Sequence, residues 1–90
     1  MKFFAASDID GTILMRGEKH ISSQLLDLIG PMYEKEVLFC AASGRSYHDL
    51  RRLFEKTADN MLFICHDGAL VMFRGQLLFK SCIDRNYAAE

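Results

Sequence analysis

Three short apolar runs divide the first 65 residues of the chain. They lie at residues 3–7, 37–42 and 61–65, and a polar segment follows each of them. Short apolar runs bounded by turn residues are typical of buried strands. The pattern therefore predicts three strands, the first of which begins with a pair of phenylalanines.

A helical pattern fills the gap between the first two predicted strands. Its apolar positions are Leu25, Leu26, Ile29, Met32 and Tyr33. Ser22 or Ser23 can cap the start of this helix. Pro31 lies inside the pattern and has no N–H to donate to the carbonyl of Asp27. We therefore expect a kink or a break near residues 27–31.

A second helix is predicted between the second and third strands. Ser46 is followed three residues later by Asp49, which resembles a capping box with Asp in place of the usual Glu. Leu50, Leu53 and Phe54 supply the apolar stripe of this helix.

Two further segments have the pattern of hairpins. Apolar residues on both sides of Gly17 predict a small hairpin or flap over residues 13–21. Apolar residues on both sides of Arg74-Gly75 predict a second hairpin over residues 69–80.

The order of these elements predicts an α/β fold. Strands that alternate with helices form a parallel sheet with right-handed crossovers. In such sheets ligands bind outside the carboxyl ends of the strands. The segments 8–10, 43–45 and 66–68 follow the three strands, so we expect them to converge on one rim and form a site.

Composition narrows the class of protein. The 90 residues are 50% hydrophobic and 26% charged, which fits one small globular domain. The net charge of −1 and the absence of a basic run argue against nucleic-acid binding. No apolar run approaches the roughly 20 residues that span a bilayer. We therefore expect a soluble cytoplasmic protein with no membrane or nucleic-acid partner.

Asp8 and Asp10 are the candidate catalytic residues. A carboxylate at the end of a buried strand can attack phosphorus and form an aspartyl-phosphate. A divalent cation removes the repulsion between this carboxylate and the phosphate, and oxygen ligands favour Mg²⁺. Asp10 can protonate the leaving oxygen and later take a proton from water. The alternative for two isolated acids is a helix cap or a solvated turn.

The second and third polar segments offer contacts to a substrate. The hydroxyl of Ser43 and a nearby backbone amide, that of Gly44, can hold phosphate oxygens. Arg45 can add a charge-assisted contact, although a solvated arginine is the alternative. Asp67, in the turn that ends with Gly68, can line the substrate entrance, and an ordinary turn before a hairpin explains it equally well.

The segments DIDGTIL, CAASGRS and HDGALV together resemble the haloacid dehalogenase-like hydrolases, and among them the Cof-type sugar-phosphate phosphatases. This resemblance implies a three-layer α/β/α Rossmann-like core, with three parallel strands and a C-terminal β-hairpin in this chain. It also implies a magnesium-dependent phosphatase that acts on a small phosphorylated metabolite through an aspartyl-phosphate.

The resemblance assigns a role to each matching position. Asp8 would be the nucleophile and a Mg²⁺ ligand. Asp10 would be the general acid and base, and would bind the metal through its backbone carbonyl. Ser43 and the amide of Gly44 would bind the transferring phosphoryl group. Asp67 stands where the family usually has Asn.

The likeness covers only the N-terminal part of the family fold, here residues 1–90. The resemblance implies that these 90 residues do not include the cap domain, the C-terminal half of the core, a lysine and a late GDxxND-like segment of acids. We therefore expect weak or undetectable phosphatase activity from this chain alone. The alternative is a non-catalytic remnant or partner-binding domain of the same fold.

The missing half also affects assembly. In the family fold the first strand lies centrally, so in this chain it would become an open edge lined by residues 3–6. An apolar open edge favours pairing with another chain. We therefore expect a homodimer through this edge or through the uncovered sheet face.

Overall fold

Five strands and two helices make up the computed structural model, which describes residues 2–80. The elements are β1 (Phe3–Asp8), α1 (Ser23–Glu34), β2 (Val37–Ala42), α2 (Tyr47–Leu53), β3 (Met61–Cys65), β4 (Leu70–Phe73) and β5 (Gln76–Lys80). Short 3₁₀ turns cover Ala58–Asn60 and His66–Gly68. Among these residues no helix is long and apolar enough to cross a bilayer.

The strands form a single sheet in the order β1-β2-β3-β4-β5. The pairs β1–β2 and β2–β3 are parallel, with Phe3 beside Val37 and Asp8 beside Ala42 at the two ends of β1. The pairs β3–β4 and β4–β5 are antiparallel. The predicted α/β fold, with three parallel strands and a C-terminal hairpin, is confirmed.

The hydrophobic core lies against β2 and β3. Phe54 follows α2, and its ring packs against those of Phe39 on β2 and Phe63 on β3. The centroid of the Phe54 ring lies 6.2 Å from the centroid of each of these two rings. Ile29 of α1 and Leu50 of α2 are fully buried in the same cluster. The two helices thus fix the central strands, whose carboxyl ends carry two of the three candidate segments.

Both predicted helix caps are present. The Ser22 side chain accepts a hydrogen bond from the amide of Gln24 at 3.2 Å. The Ser46 side chain accepts one from the amide of Asp49, also at 3.2 Å. Each cap satisfies a backbone donor that the first helical turn leaves without a partner.

The expected break at Pro31 does not occur, so this alternative of the prediction was wrong, while the other alternative, a kink, stays a prediction. α1 runs through Pro31 as one element from Ser23 to Glu34. The proline lies in the last turn, where the amide of Lys35 still donates to the carbonyls of Pro31 and Met32. Near the end of a helix the missing N–H removes one bond and leaves the following turn intact.

The expected hairpin over residues 13–21 is also absent, since this segment forms no strands. A single bridge joins Asp10 to Leu14, and the Ile9 carbonyl accepts the amides of three residues that follow it. Leu14 and Ile21 are buried in the core. Hydrogen bonds within the turn and the burial of Leu14 and Ile21 hold this segment, in place of the cross-strand hydrogen bonds that the apolar pattern predicted.

Candidate active site

The carboxyl ends of the three parallel strands enclose a cavity of about 530 Å³. Its lining residues are Asp8, Ile9, Asp10, Ala42, Ser43, Gly44, Ile64, Asp67 and Gly68. Every candidate site residue except Arg45 therefore lines this cavity. The predicted convergence of the three segments on one rim is observed.

Backbone hydrogen bonds tie the three segments to one another. The amide of Ile9 donates to the carbonyl of Ala42 at 3.0 Å, which extends the β1–β2 ladder into the site. The amide of Ser43 donates to the Ile64 carbonyl at 3.0 Å, and that of Asp67 donates to the Ser43 carbonyl at 3.1 Å. The site is thus built on paired backbone rather than on independent loops.

The carboxylate of Asp8 has no partner in the part of the chain that the structure describes. Asp8 is the last residue of β1 and lines the cavity. Among residues 2–80 no side chain makes a hydrogen bond or an ion pair to its carboxylate oxygens. A carboxylate that is fixed by a strand end, yet carries no partner, is available to a metal ion or to an electrophile.

The carboxylate of Asp10 is held by two residues. The Ser43 hydroxyl donates to Oδ2 at 2.7 Å. Arg45 donates from Nε to Oδ1 at 3.0 Å and from Nη2 to Oδ1 at 2.8 Å. The hydrogen bonds from Arg45, and then that from Ser43, lower the pKa of Asp10 from its ordinary value. Asp10 is therefore ionised in this arrangement, because both donors stabilise the charged form.

Ser43 and Gly44 differ in their freedom to bind an anion. The only hydroxyl proton of Ser43 is committed to Asp10, while its Oγ accepts the amide of Arg45 at 3.1 Å. The amide of Gly44 donates no hydrogen bond within the part of the chain that the structure describes. A Cβ on Gly44 would lie 3.2 Å from Oδ1 of Asp67, so the absence of a side chain keeps this approach open.

Arg45 lies beside the cavity and not in its lining. Its guanidinium reaches Asp10 and borders two smaller cavities of about 290 and 240 Å³. The interaction with Asp10 holds the pKa of Arg45 above its ordinary value. The sequence placed Arg45 on the substrate side, and the structure places it against the candidate acid and base.

Asp67 adds a third carboxylate to the site. Its φ of 55° follows a φ of 50° at His66, and Gly68 continues the turn with a φ of 96°. Asp and Asn tolerate this left-handed region better than most residues. Asp67 therefore suits the turn conformationally, but it adds a negative charge beside Asp8 and Asp10.

Sequence reasoning missed two features of the site. The apolar lining by Ile9, Ala42 and Ile64 was not anticipated, although each of them adjoins a predicted polar segment. The bond between Asp10 and Arg45 joins residues 35 apart in the chain, so no local spacing indicates it.

The comparisons with known proteins agree on one family. A family model of haloacid dehalogenase-like hydrolases matches residues 5–90. A putative phosphatase of Buchnera aphidicola is 29% identical over 86 residues, which cover 94% of this chain and 31% of that protein.

Solved structures agree in fold. A crystal structure from Eubacterium rectale matches with a TM-score of 0.82 and 27% identity, over 96% of this chain and 32% of that one. A haloacid dehalogenase-like hydrolase from B. subtilis matches with a TM-score of 0.78 and 24% identity, over 99% of this chain and 31% of that one. The chain thus spans about a third of the length of these relatives. The chain belongs to the haloacid dehalogenase-like hydrolase family.

Proposed function

We propose that the chain carries the nucleophile half of a Cof-type, magnesium-dependent phosphatase that acts on small phosphorylated metabolites. The observation that carries this proposal concerns two groups that line one cavity. Within residues 2–80 the carboxylate of Asp8 and the amide of Gly44 have no hydrogen-bond partner. A nucleophile and an anion-binding donor are the two groups that phosphoryl transfer needs first.

The reaction has two steps. An oxygen of Asp8 attacks phosphorus, the bond from phosphorus to the ester oxygen breaks, and Asp10 gives a proton to the leaving oxygen. Water then attacks the phosphorus of the aspartyl-phosphate and gives its proton to Asp10, which releases phosphate and restores the Asp8 carboxylate.

The hydrogen bonds to Asp10 couple substrate binding to the proton transfer. As long as Ser43 and Arg45 both donate to it, Asp10 stays ionised and has no proton to give. A phosphoryl group bound at Gly44 competes for the hydroxyl proton of Ser43. We infer that substrate binding turns the Ser43 hydroxyl away from Asp10. Asp10 must also lose the hydrogen bonds from Arg45 and take up a proton from water before it can act as the acid.

The oxygen atoms available at the site are of the chemical type that Mg²⁺ prefers as ligands. The carboxylate of Asp8 and the backbone carbonyl of Asp10 are hard oxygen ligands, and the turn bonds use the carbonyl of Ile9 instead of that of Asp10. When bound, Mg²⁺ would neutralise charge on the phosphoryl oxygens. Among residues 2–80 no three His, Cys, Asp or Glu side chains are arranged so that they could hold a metal ion together, so the ion would keep several waters and bind weakly.

We expect slow phosphatase turnover from these 90 residues alone. Within the described part of the chain no cationic side chain lines the cavity, so the charge on a bound phosphoryl group is under-compensated. A colorimetric phosphatase assay with magnesium measures this directly. Turnover above about 1 per second that is lost in Asp8→Asn would contradict the expectation of weak activity.

Intact-mass spectrometry after exposure to acetyl phosphate tests the chemistry independently of turnover. Acetyl phosphate transfers its phosphoryl group easily because acetate leaves without needing a proton. We expect one phosphoryl adduct on the wild type and none on Asp8→Asn. The matched control is Asp27→Asn, an exposed aspartate on α1 outside the cavity, which should still form the adduct. An adduct that persists in Asp8→Asn would overturn the proposed nucleophile.

The alternative is a non-catalytic, partner-binding domain. The observation that favours it is the exposure of large apolar side chains at both sheet edges, including Phe4 on β1 and Leu78 on β5. The same experiment discriminates between the two, since this alternative predicts no adduct on either the wild type or the control.

A further inference from the structure

We propose that the groove between residues 19–20 and α2 binds a second anionic group of the phosphate type, beside the candidate active site. The groove has a volume of about 240 Å³, and its lining contains three cationic side chains and one carboxylate. One water takes about 30 Å³ of liquid, so the groove has room for an oxyanion with several waters. The lining residues are Lys19, His20, Arg45, Asp49, Arg52 and Leu53.

The groove is built by two segments that both lie between β1 and β3. Asp49, Arg52 and Leu53 are three and four residues apart on α2, so they share one face of that helix. Leu53 packs against the core and fixes this face. Lys19 and His20 come from the segment that leads into α1. Among the described residues, none of β1 or of the hairpin β4–β5 lines the groove.

The positive charge of the groove exceeds the negative charge that faces it. Among residues 2–80 neither Lys19 nor Arg52 forms an ion pair. Asp49 supplies the one carboxylate of the described lining. An excess of cationic side chains around a concave surface attracts anions, and Arg and Lys are the side chains that bind phosphate oxygens by charge-assisted hydrogen bonds.

Arg45 offers the groove a donor that the interaction with Asp10 does not use. Arg45 donates to Oδ1 of Asp10 from Nε at 3.0 Å and from Nη2 at 2.8 Å. Its Nη1 makes no hydrogen bond within the described residues. A guanidinium has five N–H donors in one plane, so Arg45 can hold Asp10 and an anion in the groove at the same time.

Arg45 also connects the groove with the candidate active site. It lines a neighbouring cavity of about 290 Å³, which shares Asp10 with the larger cavity that Asp8 lines. The three cavities thus adjoin one another. The chemistry of the groove fits inorganic phosphate or a second anionic group of the substrate, and only the second of these rests on the proposed function.

Titration with inorganic phosphate, followed by NMR of the histidine side chains, tests the groove directly. The chain has three histidines, of which His20 lines the groove and His48, on α2, does not. At constant pH and ionic strength, the His20 resonances should show a saturable change and those of His48 should not. His20 resonances that do not respond to phosphate would overturn the proposal.

Neutral substitutions test which side chains hold the anion. Lys19→Gln and Arg52→Gln should each weaken the binding that His20 reports about threefold or more, because each removes one charge-assisted hydrogen bond at an exposed site. Asp49→Asn should strengthen it, because the opposing carboxylate is lost.

The matched control is Arg51→Gln, at an exposed arginine of α2 outside the groove. It should leave phosphate binding unchanged. All four substituted positions are exposed, so the fold should tolerate each change. Phosphate affinity that stays the same in Lys19→Gln and Arg52→Gln, or that falls equally in Arg51→Gln, would overturn the proposal.

A comparison of two sugar phosphates, measured without magnesium, identifies the source of the anion. Fructose 1,6-bisphosphate carries a second phosphate group, which fructose 6-phosphate lacks. If the groove holds a second group of the substrate, the bisphosphate should bind more tightly by about tenfold or more, and Arg52→Gln should remove this gain. Equal affinity for the two would assign the groove to free phosphate.

The groove and the proposed nucleophile can be tested separately. Phosphate bound beside His20, in a chain that forms no adduct at Asp8, would keep the groove and remove the proposed function. An adduct at Asp8 without a response of His20 to phosphate would do the opposite.

Discussion

Asp8 and Asp10 are two carboxylates on one turn with opposite environments. Asp8 lines the cavity without a partner among residues 2–80, whereas Asp10 accepts hydrogen bonds from Ser43 and Arg45. Two residues of separation and the turn at Gly11, which has a φ of 82°, place them differently. Identical side chains therefore have different environments, and this difference supports the different chemical roles that we propose for them.

The largest effect is expected from Asp10→Asn. With an alkyl ester such as glycerol phosphate, formation of the adduct should slow about 100-fold or more, because the leaving oxygen has no acid. With acetyl phosphate the adduct should still form, since acetate needs none. Intact-mass kinetics with the two donors measure the difference.

Equal slowing with both donors would contradict a proton-transfer role for Asp10. The comparison with Asp8→Asn sharpens the contrast, because that variant should form no adduct with either donor.

A smaller effect is expected from Asp67→Asn. Asn tolerates the left-handed φ of 55° at this position and removes a negative charge from the cavity that Asp8 lines. Two unit charges about 4 Å apart in water repel by roughly 1 kcal/mol, so phosphate should bind about fivefold tighter. Titration of inorganic phosphate followed by NMR measures this.

The matched control for this substitution is Asp59→Asn, at an exposed aspartate outside the cavity. Phosphate affinity should not change in it. Unchanged or weaker affinity in Asp67→Asn would show that Asp67 does not repel the anion.

The smallest effect is expected from Arg45→Met, which makes Asp10 resemble Asp8. Loss of the guanidinium should raise the carboxyl pKa of Asp10 toward its ordinary value of 3.8. In the wild type this pKa is lowered by folding, so the pair stabilises the protein above about pH 4, and that stability is lost as the pH falls through the folded pKa. Because both side chains are well exposed, the contribution should stay below about 1 kcal/mol.

Carbon-detected NMR titration of Asp10 gives the pKa, and urea unfolding at pH 7 and pH 3 gives the stability. Arg51→Met, at an exposed arginine of α2, is the control. An unchanged Asp10 pKa in Arg45→Met would contradict the assigned cause of the shift.

The sequence predicted the strands and the position of the site because both depend on local signals. The expectation that the first strand is buried was wrong, since most residues of β1 are exposed. Apolar runs at residues 37–42 and 61–65 became the buried strands β2 and β3. Polar residues directly after parallel strands must meet at one edge, so the cavity followed from chain order alone.

The remaining features depended on tertiary contacts. Whether Pro31 breaks α1 depends on how close it lies to the end of the helix. The conformation of residues 13–21 depends on the burial of Leu14 and Ile21 in the core. The hydrogen bonds from Arg45 to Asp10 depend on the fold, which brings together two residues that are 35 positions apart in the chain. Local pattern carries no information on any of these.

The burial of Ile9 has a consequence for the lifetime of the site. Within residues 2–80 the backbone of β1 pairs only with β2, but the side chain of Ile9, directly after Asp8, is fully buried in the core. Opening the end of β1 would expose this side chain, at a cost of about 1.5–3 kcal/mol. The position of the proposed nucleophile therefore depends on the packing of its neighbour as well as on the strand pairing, and substitutions that loosen the core around Ile9 would disorder Asp8 without touching it.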